Sequence, residues 1–211
     1  MTSPTFSILF VCTGNICRSP VAEIVTRRLL DGRLGVSGAA FTVASAGTRA
    51  VTGNPMAVGS RRALSALGAT EAARSFRARR LDAGMAASAD LVLTAERGHR
   101  RLVVTLQPTA LAKTFCFREF VRLLAGIERR DLPADPVHHA RAAMAAAGRR
   151  RGTDGLVRAD ADALPDPIAH MPSVHQRSVE LITATAERLV VLLTPLARRT
   201  ETAPPVEGVT A

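Results

Sequence analysis

One feature constrains this chain more than any other: an apolar run that ends at a cysteine and continues through a polar loop into a helix. Residues Phe6–Val11 read Phe-Ser-Ile-Leu-Phe-Val, which is typical of a buried strand. The polar segment Thr13–Arg18 follows Cys12, and Ser19-Pro20 then supplies a helix-capping residue and a proline suited to a first turn. The sequence therefore predicts a strand that passes through a tight loop into a helix.

The rest of the chain repeats this alternation of strands and helices. Further strands are predicted at Phe41–Ser45, Ala89–Thr94 and Lys113–Phe117. Further helices are predicted at about Met56–Leu67, Glu96–Leu106 and Ser173–Leu196, with another that ends near Ile127. This order predicts an α/β fold: a doubly wound four-stranded parallel sheet with helices on both faces and the polar loop after its first strand.

A length of 211 residues fits one domain. We expect that domain to span residues 1–199, with a surface segment inserted at about 128–163 and a flexible tail at 200–211. The inserted segment holds proline, glycine and charged residues, with a short Ala-rich helix at about His139–Ala147.

The loop after the first strand has the composition of an oxyanion-binding site. Ligands of doubly wound sheets bind at the carboxyl ends of the strands. The five residues between Cys12 and Arg18 can curl so that successive amide groups point inward. Gly14 permits a positive φ there, and Asn15 can tie the loop through its side chain. The predicted phosphate-binding residues are Thr13, Gly14, Asn15, Ile16, Cys17, Arg18 and Ser19.

The same loop makes Cys12 a candidate nucleophile rather than only a small buried residue at a strand end. A helix N-terminus and a neighbouring arginine both stabilise a thiolate. Arg18 presents a planar fork that matches two phosphate oxygens, and Ser19 can donate a hydrogen bond to the sulfur. A Walker A site is excluded, because no Gly-Lys-Ser/Thr occurs and Lys113 is the only lysine.

These motifs resemble low-molecular-weight protein tyrosine phosphatases. The matching stretches, in the family's order, are Val11–Pro20, Ala44–Thr48, Gly53–Pro55, Ala89–Leu93 and Leu164–Pro167. The resemblance covers about 7–127 and 164–193, and it implies a four-stranded parallel sheet and a phosphocysteine intermediate. The chain departs from the pattern at the 128–163 segment and at Ile168-Ala169, where many members carry an aromatic pair. Phe41 and Phe76 are the candidates to replace that pair.

A thiolate displaces an alkoxide only when a neighbouring acid protonates the leaving oxygen. Two Asp-Pro dipeptides compete for this role, Asp135-Pro136 and Asp166-Pro167. Asp166 stands shortly before the last helix, where the resemblance places the acid, whereas Asp135 falls in the inserted segment. The predicted catalytic set is therefore Cys12, Arg18 and Asp166.

Three functions compete for this site. The first is a cysteine-dependent phosphomonoester hydrolase, most simply a protein-tyrosine phosphatase. The second is an arsenate reductase on the same fold, which needs further reducible thiols, whereas Cys116 is expected in a buried strand. The third is a non-enzymatic phosphate-binding module, which the intact set of cysteine, arginine, serine and aspartate argues against.

Composition limits the partners of the protein. The net charge of +10 favours anionic partners, but no zinc-finger spacing or aromatic stacking platform points to nucleic acid. Neither a membrane span nor a signal peptide is apparent, and 3 cysteines argue against a disulfide scaffold. We expect a cytoplasmic monomer that acts on phosphorylated protein or another aryl phosphate, without cofactor or metal. His138-His139 is too isolated for a metal site, and we expect Cys12 and Cys17 to form a disulfide under peroxide.

Overall fold

The computed structural model describes residues 4–152, 157–168 and 170–196. Four strands form one sheet in the order β2-β1-β3-β4, and every adjacent pair is parallel. The strands are β1 (Phe6–Cys12), β2 (Phe41–Gly47), β3 (Leu91–Thr94) and β4 (Thr114–Cys116). The doubly wound four-stranded parallel sheet predicted from the sequence is thus confirmed.

Helices connect and cover these strands. They are α1 (Arg18–Leu34), α2 (Val58–Ala66), α3 (Thr70–Ser75), α4 (Ala83–Ser88), α5 (Arg97–Leu106), α6 (Phe117–Ala125), α7 (Pro136–Arg150), α8 (Ala159–Asp162) and α9 (Pro172–Leu193). Short 3-10 turns occupy Gly35–Ala40, Pro108–Lys113 and Arg129–Asp131. Within the described residues, no helix is long and apolar enough to cross a bilayer.

Alternating residues of β1 divide the core between the two faces of the sheet. Phe6, Ile8 and Phe10 belong to the larger cluster, which α1, α6, α7 and α9 also build. Leu9 and Val11 belong to a smaller cluster on the opposite face, shared with α4 and α5. Burial on both faces explains why β1 is apolar from Ile8 to Val11 rather than alternating.

The segment at 128–163 is not confined to the surface. Within it, α7 runs over Pro136–Arg150, longer than the expected 139–147, and places Val137, Ala140, Ala143 and Ala147 in the larger core cluster. Alanines at helical spacing bury one face closely although each is small. The tail predicted at 200–211 lies outside the described residues.

The chain changes direction beside the carboxyl end of β1. From β1 it continues to β2 on one side, and it later returns to β3 on the other. Such a topological switch point opens a crevice between the strand ends, where ligands of doubly wound sheets bind. Cys12 is the last residue of β1 and therefore lies at this crevice.

Candidate active site

The loop that follows Cys12 is held by its carbonyl groups. The carbonyls of Cys12 and Thr13 accept bonds of 2.9 Å from the amides of residues 48 and 49, and the Ile16 carbonyl accepts one from residue 57. In the described part of the chain, the amides of residues 13–17 have no such partner. The loop thus bonds its carbonyls to the neighbouring chain and leaves these amides without a backbone partner, an arrangement in which they could receive an anion.

Asn15 fixes the shape of the loop. It is the non-glycine residue with a left-handed backbone among the described residues, at φ 53°, and its side chain is fully buried. Its amide nitrogen donates to Ser19 at 2.9 Å and to Ser45 at 2.7 Å, while its oxygen accepts from the Arg79 amide at 2.8 Å. The positive φ was expected at Gly14, but the side chain of Asn15 stabilises it one residue later.

The network around Asn15 ends in an ion pair. Ser45 donates to the Glu23 carboxylate at 2.5 Å, and Arg79 also bonds that carboxylate at 2.5 Å. The Asn15 amide, the Ser45 hydroxyl and the Glu23 carboxylate thus form a hydrogen-bonded chain that holds the loop in place.

Ser19 serves the nucleophile rather than capping the helix. The N-cap of α1 is Cys17 and the helix begins at Arg18, one residue before the predicted serine cap. The Ser19 hydroxyl lies 2.9 Å from the Cys12 sulfur and accepts from Asn15. The hydroxyl proton can therefore go to the sulfur at 2.9 Å or to the Ala46 carbonyl at 3.4 Å, and the shorter contact, with the sulfur, would stabilise a thiolate and assist its departure.

Arg18 and Asp166 meet over the loop. Arg18 is 3% exposed, and one of its guanidinium nitrogens bonds an Asp166 oxygen at 2.5 Å. Another nitrogen donates to the Leu164 carbonyl at 3.2 Å. The structure thus brings together the three residues predicted to be catalytic, although Asp166 stands 148 positions after Arg18.

The cleft above Cys12 holds about 140 Å³. The loop lines it together with Asp166, and Ile16 and Ile168 form its aliphatic walls. Neither proposed aromatic substitute reaches it. Phe41 packs against Phe6 in the core, and Phe76 is buried beneath Arg79 in a separate groove.

His99 is a site residue that the sequence analysis missed. It lies in the first turn of α5, is 3% exposed, and its Nε2 is 2.8 Å from the Thr13 hydroxyl. That hydroxyl also accepts a 3.3 Å bond from Arg18. Burial lowers the pKa of His99, Glu96 opposes this effect and Arg18 adds to it. A histidine at the start of a helix that follows a strand was the available signal.

The other two cysteines are buried thiols. Burial raises the pKa of Cys17 to about 11, although the Ser60 hydroxyl partly lowers it. Burial likewise raises the pKa of Cys116 to about 11, with Thr94 opposing, and Cys116 ends β4 as expected. All three cysteines are free.

Asp135 and the histidine pair have local roles. Asp135 caps α7 by accepting from the His138 amide, and this bond is the main cause of its lowered pKa. His139 is buried beside the Pro133 carbonyl, at 3.0 Å. Among the described residues, no cluster of three or more histidine, cysteine or acidic side chains could hold a metal ion.

A cysteine at the switch point of a doubly wound sheet, with an anion-binding loop around it and an arginine and a carboxylate above it, defines a cysteine-dependent phosphatase. The family model for low molecular weight phosphotyrosine protein phosphatase matches residues 7–147. The chain belongs to this family, and it is a phosphoric monoester hydrolase. Asp166 lies beyond the matched region, so its placement rests on the structure.

Relatives fall into two groups by name. Over 118 residues the chain is 35% identical to the probable low molecular weight protein-tyrosine-phosphatase AmsI of Erwinia amylovora, covering 54% of this chain and 73% of that protein. Over 117 residues it is 34% identical to a protein-arginine-phosphatase of Geobacillus stearothermophilus, covering 55% and 72%. The solved YwlE arginine phosphatase from the latter organism aligns with a TM-score of 0.62 at 25% identity, covering 89% of this chain and 92% of that one.

Proposed function

We propose that the protein hydrolyses phosphotyrosine in proteins, and related aryl phosphates, through a phosphocysteine formed on Cys12. The observation that carries this proposal is the convergence of Cys12, Arg18 and Asp166 on one small cleft. The loop amides and Arg18 supply the charge stabilisation that phosphoryl transfer chiefly requires.

Binding begins with an exchange of partners at Arg18. The phosphate dianion displaces Asp166, which bonds the Arg18 guanidinium at 2.5 Å. Its oxygens then accept hydrogen bonds from the guanidinium and from the backbone amides of residues 13–19. The Asp166 carboxyl is then released from the guanidinium and can serve the leaving group.

Two displacements follow. The Cys12 sulfur forms a bond to phosphorus while the bond from phosphorus to the leaving oxygen breaks, and Asp166 gives its proton to that oxygen. Water then attacks the phosphocysteine, Asp166 accepts the water proton, and the S–P bond breaks to restore the thiolate. Ser19, 2.9 Å from the sulfur, stabilises the thiolate as it leaves.

The cleft walls favour an aryl group over phosphoarginine, the second candidate substrate. That candidate follows from the relatives named protein-arginine-phosphatases. Ile16 and Ile168 provide aliphatic surface, whereas a guanidinium leaving group would need polar partners beyond Asp166. Initial rates with matched phosphotyrosine, phosphoarginine and phosphoserine peptides test this preference, and a faster rate with phosphoarginine would reverse it.

The arsenate reductase alternative is not favoured. The family assignment speaks against it, and Cys116 is fully buried at the end of β4, whereas a thiol relay needs an exposed cysteine.

We propose a cytoplasmic monomer that acts on phosphoproteins without metal or cofactor and does not bind nucleic acid. The free cysteines are consistent with a reducing compartment.

Substitutions test the assignment of roles. Cys12→Ser is expected to abolish hydrolysis of 4-nitrophenyl phosphate, measured without metal, and to leave phosphate binding largely intact. Arg18→Lys should be severely impaired, because a point charge does not reproduce the bidentate fork. Retention of more than about a tenth of wild-type activity by either variant would contradict the mechanism, since loss of such groups costs at least ~10²-fold.

The acid is tested by a matched pair. Asp166→Asn should slow phenyl phosphate hydrolysis by about 10²–10⁴-fold, the size of general acid catalysis. Asp135→Asn removes an equivalent Asp-Pro carboxylate that caps α7 and bonds the His138 ring at 2.7 Å, and it should leave the rate unchanged. Exchange of these two results would assign the acid to Asp135.

A further inference from the structure

A buried carboxylate stands four residues before the proposed acid. Asp162 ends α8, and its side chain is 3% exposed. One oxygen accepts from Arg97 of α5 at 2.8 Å, and the other accepts from Arg122 of α6 at 3.3 Å. Both arginines are much more exposed than Asp162, at 48% and 36%, so the carboxylate is the buried centre of this pair of ion pairs.

The backbone after Asp162 is fixed residue by residue. Arg118 donates to the Ala163 carbonyl at 3.1 Å. The Leu164 amide donates to the Ala95 carbonyl at 2.8 Å, and the Leu164 carbonyl accepts from Arg18. Asp166 follows two residues later.

Asp166 itself has few constraints. Its side chain is 38% exposed, and its hydrogen bonds to described residues are the bond to Arg18 and a local 3.2 Å bond from the Ile168 amide. In the proposed mechanism the bond to Arg18 is given up when phosphate binds. From then on, the position of the carboxyl depends on the segment that leads up to it.

We propose that Asp162 is a positioning residue for Asp166, clamped between α5 and α6 so that the acid stays over the cleft after substrate takes Arg18. A buried ion pair is weak evidence for stability, because removing charges from water offsets most of their attraction. The geometry of the two ion pairs instead fixes the position of Asp162 and of the segment that follows it. The inference rests on the proposed role of Asp166 as general acid.

A positioning role predicts a dependence on the leaving group. Phenyl phosphate releases a phenol whose pKa is about 10, like that of tyrosine, and it needs the acid. 4-Nitrophenyl phosphate releases a much more acidic phenol and needs the acid less. A change that only weakens the fold would lower kcat/KM for both substrates by the same factor.

The experiment compares these two substrates in four variants. Asp162→Asn keeps the shape and removes the charge. Asp160→Asn is the matched control, because this exposed carboxylate of the same short helix pairs, within the described residues, only with exposed Arg158. Arg97→Gln breaks the clamp from its half-exposed side and carries the test if Asp162→Asn does not fold. Asp166→Asn calibrates full loss of the acid.

The expected result is a drop of about tenfold in kcat/KM for phenyl phosphate in Asp162→Asn, a part of the ~10²–10⁴-fold that full loss of the acid costs. The loss with 4-nitrophenyl phosphate should be several-fold smaller, Arg97→Gln should follow the same direction, and Asp160→Asn should match wild type. Equal losses for both substrates, or none, would overturn the proposal. Asp166→Asn without leaving-group dependence would instead show that the assignment of the acid is wrong, and would remove the role proposed for Asp162.

Discussion

Gly47 approaches the phosphate-binding loop more closely than any side chain would allow. It ends β2 and pairs with Cys12 across the sheet. A Cβ built on Gly47 would lie 2.6 Å from the Thr13 oxygen and 2.8 Å from the Asn15 nitrogen, whereas real Cβ contacts stay above 3.0 Å. Gly47→Ala therefore requires the Thr13 carbonyl or β2 to move by at least about 0.4 Å.

The loop is expected to give way, because Gly47 is fixed on its other side. Its amide donates to the Arg79 carbonyl and its carbonyl accepts from the Leu81 amide, both at 2.9 Å. Catalytic groups must be held within about 0.5 Å, and a displacement of about 1 Å costs ~10²-fold in rate. We expect Gly47→Ala to lower kcat/KM for 4-nitrophenyl phosphate by about 10- to 100-fold. The added methyl group should cost about 1–3 kcal/mol of stability, as overpacking does elsewhere.

Gly32→Ala is the matched control. Gly32 lies on the exposed face of α1, and a Cβ there meets nothing within 4 Å. This variant should keep wild-type activity and gain about 1 kcal/mol from helix propensity. Thermal unfolding of both variants separates loss of fold from loss of geometry. A folded Gly47→Ala that keeps more than half of the wild-type kcat/KM would refute the reasoning.

Three further predictions concern single side chains. Brief alkylation at pH 7 should label Cys12 well before Cys17, because burial raises the pKa of Cys17 to about 11. Peroxide should give a Cys12–Cys17 disulfide that mass spectrometry detects. Direct oxidation of Cys12 to sulfinic acid would contradict the predicted disulfide. Burial lowers the pKa of His99 below 6.5, so the unfolded chain binds a proton at His99 more readily than the folded chain does. The urea midpoint should therefore fall on acidification through and below pH 6.5, and His99→Gln should flatten that dependence. An unchanged pH profile in the variant would count against this prediction. Ile168→Tyr should lower KM for phosphotyrosine peptides about three- to tenfold with kcat nearly unchanged, since an aromatic contact adds ~0.5–1.5 kcal/mol; an unchanged KM would mean that this wall does not contact the substrate.

The sheet and its loop could be predicted because their signals are local. Phe6–Val11 is apolar except at Ser7, as is typical of a strand covered on both faces, and the Cys-to-Arg spacing follows it directly. The choice of Asp166 over Asp135 needed only chain order and the family pattern. The structure then placed Asp166 against Arg18 and left Asp135 at the start of α7.

The remaining features depend on contacts between distant positions. His99 reaches Thr13 across 86 residues, and its place at the start of a helix after a strand indicates the site edge of the sheet but not this partner. The left-handed residue of the loop is Asn15 rather than the adjacent Gly14, because Ser19, Ser45 and Arg79 supply its three hydrogen bonds. Similarly, α7 is weakly hydrophobic, and its alanines are recognised as core residues only once α6 and α9 are seen beside them.

Because Asp166 bonds Arg18, a carboxylate of the protein itself competes with phosphate for the guanidinium. In the proposed mechanism, any phosphate, whether substrate or product, must displace a carboxylate that already bonds the guanidinium at 2.5 Å. Binding is weakened by that exchange, and release is assisted, since the carboxylate returns as the product leaves. An affinity measured with free phosphate therefore reports a difference between two anions and understates the intrinsic attraction of the loop. Turnover benefits, because a site that held its product with the full strength of the loop would release it slowly.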